Sequence, residues 1–287
     1  MLLRNFCFFL MISLFVACQQ EFEQLPSGYY LRMVEAKGGK KPGDTDALKV
    51  HLKIALEDSV IVNSKDLFPI GRRLAINNMW PEFKDVLQSL GLGDSVQIKM
   101  SLPEYAKLEG RRAPLKDSTL MVTMSMRVLD VDNEASVIDK MVEEQLAYET
   151  DLIEKYLINN NLEAERTPEG LFYIISQKGT GPFIQREDDV VAEFSMKLLD
   201  GTVVATTNEE ISRANGLHTE GRDYIPYTFT LEQSRLEGWL IGMPKFQVGS
   251  IGTLIIPSRY GFGNQSAGGV VPPNATLIYD LEILEIQ

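Results

Sequence analysis

The 287-residue chain has two cysteines and two histidines. Both cysteines, Cys7 and Cys18, fall in the first stretch, so cleavage ahead of Cys18 would leave one thiol. That rules out an intramolecular disulfide and a cysteine metal cluster in the remainder. His51 and His218 are too isolated to argue a metal site, and none is expected. Cationic clusters are equally scarce. The formal net charge is -12, and Lys37 to Lys41 and Arg111-Arg112 are the basic runs. Binding along a phosphate backbone needs a basic face, so a nucleic-acid partner is not expected. Nor is there an apolar run long enough to span a bilayer, which takes about 20 residues. The run from Phe6 to Ala17 is too short and fits the hydrophobic region of a secretory signal.

What is present sorts into five parts. Residues 1–17 read as the signal peptide. Leu14-Phe15-Val16-Ala17-Cys18 resembles the bacterial lipobox, with Cys18 the lipidated residue and 18–27 a polar tether. Burial of an acyl chain contributes about 0.8 kcal/mol per CH2, so a lipid on Cys18 would hold the chain on a membrane. That predicts a lipid-anchored protein of the bacterial cell envelope, at the outer membrane or periplasmic face. An ordinary cleaved signal with an incidental Cys is the alternative.

Residues 28–132 repeat the pattern of 166–287. Gly28-Tyr29-Tyr30-Leu31 matches Gly170-Leu171-Phe172-Tyr173. Phe83 to Gly93 matches the spacing of Trp239 to Gly249. Val96 to Tyr105 matches Gly252 to Tyr260. Between the repeats, residues 133–165 carry Val137, Ile138, Met141, Val142, Leu146, Ile153, Tyr156 and Leu157 at helical spacing, with acidic residues opposite. Asn159-Asn160-Asn161 ends the pattern. This helix reads as a spacer packed on the domains, or else as a contact for a homodimer.

In the second repeat, Leu199-Asp200-Gly201 is a hairpin turn signal. Tyr227 to Leu231 reads as a strand, and Ser234 to Gly242 as a short helix carrying Trp239. Then come an apolar strand from Gly252, Tyr260-Gly261-Phe262-Gly263, a Gly-rich flap and Pro272-Pro273-Asn274-Ala275-Thr276-Leu277. This ordered set resembles the C-terminal half of FKBP-type peptidyl-prolyl cis-trans isomerases. The resemblance implies an α+β fold: two FKBP-like domains, each a bent antiparallel sheet wrapped round a short helix, joined by a helical linker.

It also implies a reaction. Rotation about the bond before proline meets a barrier of about 18–20 kcal/mol, because it breaks amide resonance. A pocket that holds the ring in an apolar place and fits the twisted amide lowers that barrier without nucleophile, metal or cofactor. By the resemblance, Trp239 is the pocket floor, and Phe194, Phe262 and Tyr279 are its other catalytic aromatics. Tyr227, Phe229, Leu236, Val204, Val270 and Val271 match substrate-binding positions. The Leu236 N–H sits where the family donates to a substrate carbonyl. Proline-containing exported polypeptides are the expected substrates.

Several positions depart from the family. Val204 and Ala205 stand where it has Phe-Asp, and Phe262 lacks the family's tyrosine hydroxyl. Met196 replaces a glycine. The long loop from Thr207 to Pro226 offers Tyr224 or Asp223 as substitutes. The first repeat departs further, with Phe83 in the tryptophan position and 109–114 in place of the flap, and reads as a module without isomerase activity. Two other readings stand beside the slow isomerase. One is a non-catalytic chaperone or peptide-binding lipoprotein. The other is a structural envelope protein whose aromatics are all core.

Overall fold

A computed structural model describes residues 21–109 and 119–287. The expected signal segment 1–17, Cys18 and residues 110–114, expected in place of the first repeat's flap, lie outside the described residues. No described helix is long and apolar enough to cross a membrane.

The first repeat contains β1 (Glu23–Gln24), β2 (Tyr30–Glu35), β3 (Asp46–Leu56), β4 (Ser59–Asn63), α1 (Ser64–Leu67), β5 (Arg72–Ala75), α2 (Pro81–Ser89), β6 (Ser95–Ser101), α3 (Leu102–Leu108) and β7 (Met121–Asn133). After the linker helix α4 (Glu134–Asn159), the second contains β8 (Glu165–Arg166), β9 (Phe172–Gln177), β10 (Asp189–Leu198), β11 (Val203–Thr206), α5 (Glu209–Ala214), β12 (Tyr227–Thr230), α6 (Glu237–Gly242), β13 (Ile251–Ile256) and β14 (Leu277–Ile286).

The two sheets have the same connectivity. The first runs β1-β2-β6-β7-β3-β4 with β5 on β3, and the second runs β8-β9-β13-β14-β10-β11 with β12 on β10. All pairings are antiparallel. The duplication extends to single hydrogen bonds. The Gly93 N–H donates to the Val128 carbonyl as the Gly249 N–H donates to that of Ile283, and the Val128 and Ile283 N–H groups donate in turn to the carbonyls of Asp94 and Ser250. Part of the expected tether, Glu23–Gln24, is an edge strand paired with β2.

The alternation that marks the strands in sequence is the alternation of burial. In β6 every second residue, Val96, Ile98 and Met100, points into the core. Each sheet curls around one short helix. On α6, two glycines let helix and sheet meet closely. A Cβ on Gly238 would lie 2.4 Å from Ile256, and one on Gly242 2.5 Å from Leu254. That contact sets the depth of Trp239, which lies between them.

The linker forms as expected, over Glu134–Asn159, capped by the Asn133 side chain, which accepts from the Ser136 N–H. At its start, Val137 packs on Ala47 and Ala75. Near its end, Ile153 and Leu157 join Phe172, Ile255 and Ile278. Its charges are used at both ends too: Glu144 pairs with Lys49 of β3, and Glu149 reaches the turn after β13.

Candidate functional site

Five aromatics of the second domain converge on one open basin of about 710 Å³. Trp239, from α6, forms its floor and is 6% exposed. The Phe229 ring, from β12, tilts against it at 4.4 Å between centroids. Tyr279 of β14 meets it edge-on at 5.3 Å, and Phe194 of β10 at 6.0 Å. Tyr227 stacks on Phe229 at 5.5 Å and stands half exposed at the rim. Such edge and tilted contacts hold rings rigidly. Met196, Ala205 and Leu236 complete the apolar wall, and Asp189, Thr228, Thr230, Gln233, Ser234 and Arg235 form a polar rim.

The strand pattern explains the convergence. Phe194 and Met196 share one face of β10, and β10 lies between β12 and β14. The Phe194 backbone is pinned further by the β11 end. Its N–H donates to Thr207 Oγ1 at 3.0 Å, and Thr206 Oγ1 donates to its carbonyl at 3.1 Å.

Two features bear on chemistry. Burial pushes the Tyr279 phenol well above its usual range, with Tyr227 adding to the effect, so Tyr279 is a neutral hydroxyl at any ordinary pH. The buried Trp239 Nε1 donor finds no acceptor among the described residues. The floor and inner walls of the basin are therefore apolar and uncharged, and Asp189 and Arg235 bring charge only to the rim.

The expected residues do not all meet there. Phe194, Tyr227, Phe229, Leu236, Trp239 and Tyr279 line the basin. Val204 instead packs in the core beneath it, while its neighbour Ala205 takes the wall position. Val271 is buried in the same core, and Val270 is 52% exposed on the flap. Phe262 is 36% exposed on its own turn and does not form part of the basin wall in this state. The Leu236 N–H already donates to Ser234 Oγ at 3.2 Å, so a substrate carbonyl would have to share or displace that bond.

The loop after β11 supplies no substitute for the missing groups. Tyr224 stacks on His218 at 5.5 Å, its hydroxyl lies 2.9 Å from Ser212 Oγ, and Arg222 covers its ring. Neither Tyr224 nor Asp223 lines the basin.

The first domain differs at the corresponding helix position. Phe83 of α2 occupies the place of Trp239 and is buried, with Tyr29 packed edge-on at 6.3 Å.

Comparison with known proteins agrees with this geometry. The family model for FKBP-type peptidyl-prolyl cis-trans isomerase matches residues 181–284. "Probable FKBP-type peptidyl-prolyl cis-trans isomerase FkpA" of Neisseria meningitidis is 35% identical over 120 residues, 42% of this chain and 39% of that protein. The FKBP-type isomerase FkpA of Buchnera aphidicola is 24% identical over 192 residues, 65% of this chain and 70% of that protein. "FK506-binding protein 1" of Dictyostelium discoideum is 31% identical over 119 residues, 41% of this chain and 99% of that protein. The match spans 39% and 70% of the two bacterial relatives' own lengths, and nearly all of the single-domain one. With the fold, the aromatic basin and a relative matched over almost its whole length, the chain belongs to the family of FKBP-type peptidyl-prolyl cis-trans isomerases.

Proposed function

We propose that the second domain, 166–287, is a peptidyl-prolyl cis-trans isomerase acting on proline-containing segments of exported polypeptides in the bacterial cell envelope. The observation that carries this reading is the open basin of Phe194, Tyr227, Phe229 and Tyr279 over Trp239. A proline ring enters it with loss of water, and the rigid walls fit the twisted amide better than either planar form. Phe262, Val270 and Val271 act from the flap side when substrate is bound, and Val204 supports the wall from below. The first domain, 28–132, with Phe83 and Tyr29 filling the equivalent place, is a non-catalytic module. Cys18 carries the lipid, and the residues that follow it tether the first domain.

The reaction is slow for its family. Ala205 contributes no carboxylate, Phe262 no hydroxyl, and the Leu236 N–H is partly satisfied by Ser234. The same three facts favour the second reading, a peptide-binding chaperone with no turnover. A homodimer through the linker has weaker support, because much of that helix's apolar stripe is covered by the chain's own sheets.

The test is catalysis of cis/trans isomerisation across peptides that vary the residue before proline, with Trp239→Ala alongside and circular dichroism to check folding. Turnover that is lost in folded Trp239→Ala supports the isomerase. Peptide binding without turnover selects the chaperone reading. For the anchor, Cys18→Ser should move the protein from the membrane fraction to the soluble one.

A further inference from the structure

Glu149 is a carboxylate on the linker helix, yet it is 2% exposed and lies inside the second domain. Among the described residues it takes four hydrogen-bond donors, all on uncharged side chains or backbone. Oε2 accepts from the Ser258 N–H and from Thr276 Oγ1, the latter at 3.1 Å. Oε1 accepts from Ser258 Oγ and, at 2.6 Å, from Gln145 Nε2. A buried carboxylate is costly unless its lone pairs are filled, and here each oxygen takes two donors. Removing it would leave the Ser258 N–H buried and unsatisfied.

What those donors belong to gives the arrangement its meaning. Ser258 opens the turn that carries Phe262. Its carbonyl accepts from the N–H of Gly261 at 2.9 Å and of Gly263 at 2.8 Å, the two residues flanking Phe262. Its other polar groups, N–H and Oγ, both go to Glu149. Thr276 stands just after the flap, and the Asn274 N–H closes it by donating to the Gly263 carbonyl at 2.8 Å. One carboxylate thus holds both ends of the segment from Phe262 through Val270 and Val271.

We infer that Glu149 is a positioning residue for the isomerase site. It fixes the Phe262 turn and the flap roots from outside the sheet, so the functional unit includes the linker helix as well as 166–287. Because Lys49 of the first domain holds Glu144 of the same helix, the flap is referenced to both domains. This inference rests on the isomerase reading and refines it.

The experiment uses the purified chain and proline peptides, with kcat and KM separated. Glu149→Ala should lower kcat about tenfold and leave KM within about threefold, as expected when a wall that fits the twisted amide is displaced. Hydrogen exchange at Gly261, Phe262 and Gly263 should quicken, while Leu254 and Ile255 on β13 stay protected. Glu149→Gln should recover most of the rate, since its amide oxygen still takes the Ser258 N–H. Ser258→Ala, which keeps the N–H and loses one bond, should fall about threefold and decides the matter if Glu149→Ala does not fold. Wild-type kcat and wild-type exchange in folded Glu149→Ala, or wild-type kcat in Ser258→Ala, overturn the inference. Absence of turnover in the unmodified chain would instead remove the isomerase reading on which it rests.

Discussion

Gly238→Ala tests whether the close approach of α6 to β13 sets the depth of the basin. The new Cβ would lie 2.4 Å from Ile256 Cγ2, 2.9 Å from Cδ1 and 3.1 Å from Cγ1. Carbon atoms rest at about 3.5–4.0 Å, so α6 must retreat by about 1 Å or Ile256 must leave its rotamer. Overpacking of this kind costs about 1–3 kcal/mol. Replacing a helical glycine returns about 0.5–1 kcal/mol of backbone entropy. The net expectation is a loss of about 1–2 kcal/mol, read from the urea unfolding transition of the second domain. Trp80→Phe in the background leaves Trp239 as the reporter. Adding Ile256→Ala removes all three close atoms, so the cost of Gly238→Ala should vanish in the double-mutant cycle. Trp239 follows Gly238 on the helix and moves with it, and a 1 Å displacement can cost up to about a hundredfold in rate. A stability gain from Gly238→Ala, as on an open helix face, would refute the reasoning.

Tyr279 is raised by burial, so the unfolded chain releases that proton first and stability should fall as pH rises past about 10, by up to about 1.4 kcal/mol per pH unit. Tyr279→Phe should flatten that alkaline limb in denaturant titrations. Asp132 at the root of α4 is held below the usual carboxylate range by Lys140, then Ser136 and the Asn133 N–H. Its contribution is therefore present above about pH 4 and lost as pH falls, and Asp132→Asn should remove that acid dependence from thermal melts. Phe83→Ala should destabilise the first domain by about 3–5 kcal/mol and leave proline-peptide turnover by the second domain unchanged.

Much of the fold was legible because it depends on local patterns. The strands of both repeats alternate, Asp200-Gly201 marks its turn, and the linker's apolar spacing fits a helix read within a residue or two. The basin floor was legible only through resemblance: a lone tryptophan reads as core, and it is the ordered set of Trp239, Phe262 and Pro272 to Leu277 that singles Trp239 out. Resemblance carried less where backbone placement decides. Val204 and Ala205 both stand at family pocket positions, yet they are neighbours on a strand and face opposite ways, so Ala205 lines the wall and Val204 packs in the core. Phe262 and Val270 depend on a flap whose position follows from hydrogen bonds far apart in sequence. Glu149 left no signal. An acidic residue in an acidic helix reads as solvent-facing, and three of its four donors lie more than a hundred residues away. The loop holding Tyr224 was read as a source of replacements because its residue types suit one. The Ser212 hydroxyl and the His218 ring take Tyr224 instead.

The duplication makes the two domains a natural comparison. Strand order, glycine turn and short helix are the same, so the fold alone does not make a site. The difference lies in what the helix presents and what covers it. In the first domain Phe83 is smaller than tryptophan, and Tyr29 packs edge-on against it. In the second, Trp239 fills the floor, and the residue corresponding to Tyr29 is Leu171, which lies fully buried in the core. The space above the indole is walled by β10, β12 and β14 and left open. Truncating Phe83 therefore removes core, while truncating Trp239 mainly deepens a cavity that already exists. The stability cost should be larger at Phe83 and the activity cost should fall entirely on Trp239. That opposition separates a binding floor from a core residue.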